Sequence, residues 1–168
     1  GGVANLFARG FAKRGIRILT SARVVKIAQA GEGLAVSVEQ NGGTEVISCS
    51  KVLSCAGRVA NVDGLAPDKA GVIVERPGIK VDENYQTNVK GIYAIGDVTG
   101  HLMLAHVASD EGKICVERMA GHNARVNYGV VPNCIFTFPE LASVGKTEEE
   151  LQRDGVEYTA GKFAFAGN

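Results

Sequence analysis

The chain has 168 residues, and its 18 basic and 18 acidic residues cancel to a formal net charge of zero. Hydrophobic residues make up 45% of it and charged residues 21%, a balance typical of globular chains rather than disordered ones. No basic block indicates nucleic-acid binding and no apolar run approaches the ~20 residues of a membrane span, so neither partner is expected. The 22 glycines are the unusual feature, and they favour tight turns and close backbone approaches, as in nucleotide-binding α/β proteins.

The first third of the chain is predicted to be one helix followed by strands. Apolar spacing predicts an amphipathic helix from Val3 to Gly15, and its basic residues argue against a signal peptide. Five strand-like runs follow, three of them joined by glycine-containing hairpin turns. These runs are Ile16 to Leu19, Val24 to Ala28, Leu34 to Gln40, Glu45 to Cys49 and Val52 to Ala56.

The remaining two thirds alternate irregular segments with short elements. Residues 59–90 are predicted to be mostly irregular, with a short strand near Ile79 to Val81. A long helix is expected from Leu104 to Ala120 and a shorter one from Thr147, with acids in its first turn. Further strands are predicted at Ile92 to Ile95, Cys134 to Phe138, Ala142 to Val144 and Tyr158 to Phe165.

The four cysteines, at positions 49, 55, 115 and 134, show no C-x-x-C or other metal-binding spacing. We therefore expect buried, reduced thiols and no metal site. Reduced thiols suit a cytoplasmic location.

The most informative string is the twelve residues from Thr87 to Val98, TNVKGIYAIGDV. Its apolar run stops at Gly96, where the missing side chain lets another group approach the backbone. Asp97 then places a carboxylate at the carboxyl end of the predicted strand, where open α/β sheets bind ligands. The string resembles the second flavin-binding signature of the pyridine nucleotide-disulfide oxidoreductases. That resemblance implies that Asp97 binds the ribityl chain of FAD.

The run from Val52 to Arg58, followed by Asn61, resembles the strand and turn that end the NAD domain in this family. The resemblance implies that Gly57 lets the nicotinamide ring of NAD lie close to the main chain. It also implies that Arg58 is a hinge residue between the NAD and FAD domains. The chain departs from the family pattern at Ala60, where proline is usual.

The string from Gly100 to His106, GHLMLAH, leads into the long predicted helix. Free N–H groups at a helix start form an anion site. The resemblance implies that this start faces the pyrimidine edge of the flavin, with Ala105 and His106 nearest and Met103 and Leu104 beside them. We expect a packing or backbone role for His106, because the acid–base histidine of the family lies in a His-Pro motif that this chain lacks.

The segment from Pro132 to Glu150 resembles the start of the interface domain of the family, which implies a homodimer contact from about Tyr128 onward. The resemblance implies a mixed α/β fold built from parts of Rossmann-like domains. Residues 1–58 would end the NAD(P)-binding domain, residues 59–127 would be the second FAD-binding segment, and residues 128–168 would open an α+β dimerisation domain.

The chain lacks a G-x-G-x-x-G fingerprint, a pair of cysteines four residues apart and a His-Pro motif. We therefore expect a fragment without catalytic residues, whose parent is an enzyme. The Met103–His106 string and Glu111-Gly112 favour a parent resembling dihydrolipoamide dehydrogenase, which passes electrons from a lipoyl-carrying protein through a disulfide and FAD to NAD⁺. The alternatives are a soluble transhydrogenase, a mercuric or glutathione reductase-like flavoenzyme, or a non-catalytic interaction module; NAD and NADP are not distinguished.

Overall fold

The computed structural model describes residues 2–164, which fall into two compact units. The first unit holds the chain up to residue 56, together with residues 135–141 and the segment from residue 149 onward. The second unit holds residues 57–134 and 142–148. Over the described range, helices that combine the length and the apolarity needed to cross a membrane do not occur.

The first unit contains a helix and a three-stranded antiparallel sheet, as the sequence predicted. The middle strand buries Val36 and Val38, which lie two residues apart and therefore share one face of the sheet. Both hairpins turn at the predicted glycine-containing segments, and the strand order is sequential. The elements are α1 (Gly2–Lys13), β1 (Ala22–Ala30), β2 (Gly33–Gln40) and β3 (Gly43–Cys49).

Two strand predictions in the first unit are wrong. Residues 16–19 and 52–56 are irregular, and neither run joins a sheet in the described part of the chain. Apolar side chains do not make a strand by themselves, because its backbone groups need a neighbouring strand to bond. The second run is largely solvent-exposed, with Leu53 87% accessible.

The second unit combines a short hairpin, three 3₁₀ turns and a long helix. The strands β4 (Val74–Glu75) and β5 (Gly78–Ile79) pair antiparallel. The predicted long helix is confirmed as α2 (Ala105–Met119). The 3₁₀ turns are Pro67–Ala70, Gly96–Thr99 and Tyr128–Val130.

The remaining elements are β6 (Asn133–Ile135), β7 (Leu141–Ser143) and α3 (Glu148–Arg153). Of these, β6 and α3 are shorter than predicted, and β7 has the predicted length but begins one residue earlier. The strand predicted from Tyr158 onward is wrong, because residues 158–164 are irregular; its last predicted residue, Phe165, lies outside the described residues. The mixed α/β class is confirmed.

The prediction for the cysteines is confirmed in one respect and wrong in another. All four are free thiols. Only Cys115 is buried, whereas Cys55 and Cys134 are exposed and Cys49 is half-buried. Cys55 is exposed because the run that contains it is irregular and exposed, instead of being a buried strand.

The core of the second unit forms where α2 packs beside the Gly96–Thr99 turn. The helix buries Val107, Glu111 and Cys115, which lie four residues apart and share one face. The hairpin backs the same turn, because a Cβ on Gly78 would lie 2.3 Å from the carbonyl oxygen of Val98. The turn is therefore held from two sides.

Candidate functional site

The apolar run before Asp97 is an extended segment with one β-bridge, so the strand predicted over residues 92–95 is wrong. Tyr93 bridges Gln86, and the amide of Ala94 donates to the carbonyl of Tyr85 at 3.0 Å. Ile95 is extended, with φ −137° and ψ 161°, and the 3₁₀ turn begins at the next residue. The run nevertheless ends at the predicted glycine, so Asp97 projects from a turn at the end of an extended segment.

Gly96 fixes the turn against α2. Its φ of +72° belongs to the left-handed region, which disfavours residues with a Cβ. A Cβ there would also lie 2.8 Å from the Cβ of Ala108. Its amide donates a 2.7 Å hydrogen bond to Oε2 of Glu111, so the backbone entering Asp97 is bonded directly to a buried helix side chain.

Arg58 holds the carboxylate of Asp97. One guanidinium nitrogen donates to Oδ2 of Asp97, and the other donates to the carbonyl of Met103 at 3.2 Å. The arginine thus links the segment that follows Gly57 to the turn that carries Asp97 and to the segment before α2. The Asp97 side chain keeps 41% of its surface accessible, so its carboxylate can accept further hydrogen bonds.

The start of α2 is open to a ligand. Leu104 caps the helix with an extended backbone and makes no side-chain capping bond. The first bond of the helical ladder runs from the amide of Ala108 to the carbonyl of Leu104, so the amides of residues 105–107 lie ahead of it. Ala105 and His106 are exposed and Met103 is half-buried. These amides and the positive end of the helix dipole favour negative charge nearby.

Two further predicted site residues, His106 and Gly57, have surroundings of their own. His106 bonds through Nε2 to the carbonyl of Pro132 at 3.1 Å, a bond in which the ring nitrogen acts as donor. Gly57 is exposed, has φ +127°, and has no atom within 4 Å of the position a Cβ would take. It therefore leaves room beside the main chain next to Arg58.

A polar network that was not predicted from the sequence lies behind the turn. Glu111 is 2% exposed and accepts a hydrogen bond from the hydroxyl of Tyr128 at 2.7 Å. The hydroxyl of Tyr128 lies 3.2 Å from that of Tyr85. These three side chains line one pocket of about 490 Å³. An acid on the apolar face of a predicted helix was the available signal, because a buried carboxylate requires partners.

Asp82 shapes the loop that leads toward this pocket. Its Oδ1 accepts the amides of Asn84 at 2.8 Å and Gln86 at 2.9 Å. Burial by itself raises the pKa of Asp82, but the bonds from Gln86 and Asn84 and the charge of Arg118 outweigh it and hold the pKa below its ordinary 3.8. The ionised form therefore stabilises the folded loop.

We expect Asp82→Ala to destabilise this loop by roughly 0.5–1 kcal/mol at pH 7, a modest loss because the site is solvent-screened. Because the folded pKa is depressed, the contribution is present above pH 3.8 and is lost as the pH falls through the folded pKa. The difference in Tm between wild type and variant, measured from pH 7 down to pH 2, should shrink toward zero. A difference that does not change with pH would contradict this assignment.

Clusters of three or more His, Cys, Asp or Glu residues able to hold a metal are absent from the described part of the chain. What the site offers is an accessible carboxylate on a glycine turn, next to an uncapped helix start. The carboxylate can accept hydrogen bonds from the hydroxyl groups of a ligand. The free amides of the helix start can donate hydrogen bonds to an anionic edge of the same ligand.

Known proteins are similar to this chain in sequence. The profile of the pyridine nucleotide-disulphide oxidoreductases matches residues 2–112, and that of their dimerisation domain matches residues 131–168. The mitochondrial dihydrolipoyl dehydrogenase of Pisum sativum is 44% identical over 165 residues, covering 96% of this chain and 33% of the relative. The leghemoglobin reductase of Glycine max is also 44% identical, covering 96% of this chain and 32% of the relative.

The likeness extends to solved structures. The crystal structure of LpdA from Mycobacterium tuberculosis superposes with a TM-score of 0.78 at 32% identity, covering 91% of this chain and 33% of that one. The chain thus spans about a third of the length of the relatives it matches. Because one family profile matches residues 2–112, which is more than half of the sequence, the chain belongs to the pyridine nucleotide-disulphide oxidoreductase family.

Proposed function

We propose that this chain is part of an FAD-dependent dihydrolipoamide dehydrogenase that passes electrons from a dithiol through a disulfide and FAD to NAD⁺. The observation that carries the proposal is the accessible Asp97 carboxylate on the Gly96 turn beside the open start of α2. Relatives named dihydrolipoyl dehydrogenase, 39–44% identical over nearly the whole chain, support the choice of substrate class.

The residues present fit one side of a flavin. In this proposal Asp97 would accept hydrogen bonds from the ribityl hydroxyls, while Arg58 keeps the carboxylate oriented. The amides of Ala105 and His106, with Met103 and Leu104 beside them, would lie at the pyrimidine edge and would favour negative charge there. Two-electron transfer between the disulfide and the nicotinamide is the chemistry that FAD supplies.

The nicotinamide side is proposed to involve Gly57, whose open surroundings would let a ring lie along the main chain.

We assign residues 1–58 to the NAD(P)-binding domain, residues 59–127 to the FAD-binding domain and residues 128–168 to the dimerisation domain. The match of residues 131–168 to a dimerisation-domain profile supports a homodimer contact from about Tyr128 onward. The four free thiols favour a reducing compartment, and we propose the cytoplasm.

The experiment is a substrate comparison with the full-length protein that carries this chain. Purified protein should be yellow, with oxidised flavin absorbance, and should form NADH from NAD⁺ and dihydrolipoamide. An assay with glutathione disulfide and NADPH tests the glutathione reductase-like alternative. An assay with NADPH and NAD⁺ alone tests the transhydrogenase alternative. Faster turnover in either of these assays would move the assignment to that alternative, and a colourless protein that does not bind FAD would overturn the proposal.

A further inference from the structure

Glu111 is an acid in an unusual place. It occupies the buried face of α2 between Val107 and Cys115, and only 2% of its surface is accessible. A carboxylate in such surroundings is costly unless its oxygens are hydrogen-bonded. The residue therefore needs an explanation beyond filling space, since an apolar side chain would fill the same volume at lower cost.

Both carboxylate oxygens of Glu111 have defined partners. Oε2 accepts the amide of Gly96 and Oε1 accepts the hydroxyl of Tyr128, each at 2.7 Å. The hydroxyl of Tyr85, 3.2 Å from that of Tyr128, extends the chain of hydrogen bonds. Partial burial and the bonds with Tyr85 and Glu111 raise the pKa of Tyr128 above its ordinary 10.0, so the phenol stays a neutral donor.

The bond to Gly96 reaches the residue immediately before Asp97. The Gly96 amide sits at the point where the backbone changes from extended at Ile95 to left-handed at Gly96. A bond at this point restricts the backbone rotations that set the direction of the Asp97 side chain. Arg58 restrains the carboxylate itself, so one contact fixes the backbone just before Asp97 and the other fixes the end of its side chain.

We propose that Glu111, held by Tyr128, is a positioning residue that aims Asp97 at the ribityl chain through the Gly96 amide. The inference rests on the proposed flavin-binding role of Asp97. A general packing role would weaken FAD binding whether or not Asp97 is present. The positioning role predicts that removing Glu111 weakens FAD binding only when Asp97 is present. Hydrogen bonding, rather than the charge of Glu111, is the property that matters.

The glutamine variant separates hydrogen bonding from charge. In Glu111→Gln, Oε1 can accept the Gly96 amide while Nε2 donates to the hydroxyl of Tyr128, which can then donate to Tyr85. Glu111→Leu keeps the approximate size and removes both acceptors. Tyr128→Phe keeps the ring and leaves the Gly96 bond to Oε2 in place, but it removes the hydroxyl that bonds Oε1 and Tyr85. Glu117→Leu, on the exposed face of the same helix, is the matched control.

The test measures the dissociation constant of FAD from full-length apoprotein, by flavin fluorescence, in a double-mutant cycle with Asp97→Ala. We expect Glu111→Leu to weaken FAD about tenfold and Tyr128→Phe about threefold, while Glu111→Gln and Glu117→Leu stay within twofold of wild type. In the Asp97→Ala background, Glu111→Leu should add less than a twofold loss. If Glu111→Leu does not fold, Tyr128→Phe takes its place in the cycle.

The outcomes separate this inference from the function on which it rests. The positioning role would be overturned if Glu111→Leu still weakened FAD binding tenfold in the Asp97→Ala background. It would also be overturned if Glu111→Gln weakened FAD binding as much as Glu111→Leu, or if Glu111→Leu bound FAD like wild type. In each of those cases a weakened Asp97→Ala leaves the proposed function standing. An Asp97→Ala protein that binds FAD like wild type would overturn both.

Discussion

Gly100→Ala should destabilise the second unit by about 3 kcal/mol. Gly100 ends the 3₁₀ turn with φ +76°, a conformation that costs a residue with a Cβ about 1 kcal/mol. The new Cβ would also lie 2.5 Å from the carbonyl carbon and oxygen of Pro77. Because these are backbone atoms next to β5, relief requires moving the hairpin from the turn, and overpacking of this kind costs about 1–3 kcal/mol.

Gly91→Ala is the matched control for backbone strain alone. Gly91 has φ +85°, and a Cβ there would meet no atom within 4 Å. We expect it to cost about 1 kcal/mol, so the difference between the two variants isolates the overlap with Pro77. Thermal midpoints of full-length apoprotein and hydrogen-exchange protection of the α2 amides measure both effects. Equal losses for the two variants would contradict the close packing of hairpin and turn.

Local patterns in the sequence were enough to predict the helices and the hairpin sheet. The apolar spacing of α1 and α2 and the glycine turns between β1, β2 and β3 act over a few residues, so no distant partner is needed. The break at Gly96 was predicted for the same reason, although the strand expected before it is an extended segment with an isolated β-bridge at Tyr93. Each of these features is encoded within about a dozen consecutive residues.

Features that depend on distant partners were not predictable in this way. The run at 52–56 has the composition of a buried strand but lacks a paired neighbour among the described residues, so it is irregular. The bonds from Arg58 to Asp97 and from Gly96 to Glu111 span 39 and 15 residues. Periodicity carries no information about such contacts, although an acid on an apolar helix face signals that some partner exists.

The central claim is that Asp97 binds the ribityl chain of FAD. Its side chain is 41% accessible and Arg58 bonds one carboxylate oxygen, Oδ2, so the carboxylate can offer further charge-assisted hydrogen bonds to hydroxyl groups. Losing such bonds costs about 1.5–3 kcal/mol, which corresponds to roughly ten- to hundredfold in affinity. Removing Asp97 leaves Arg58 unpaired, but that side chain is 65% exposed, so water can replace its partner.

The most direct test is the dissociation constant of FAD for full-length apoprotein carrying Asp97→Ala. The control is Asp110→Ala, an exposed acid on α2 whose ion pair with Lys113 is solvent-screened. We predict that Asp97→Ala raises the Kd ten- to hundredfold and that purified protein retains correspondingly less flavin per chain, while Asp110→Ala matches wild type. A wild-type Kd and flavin content for Asp97→Ala would contradict the account.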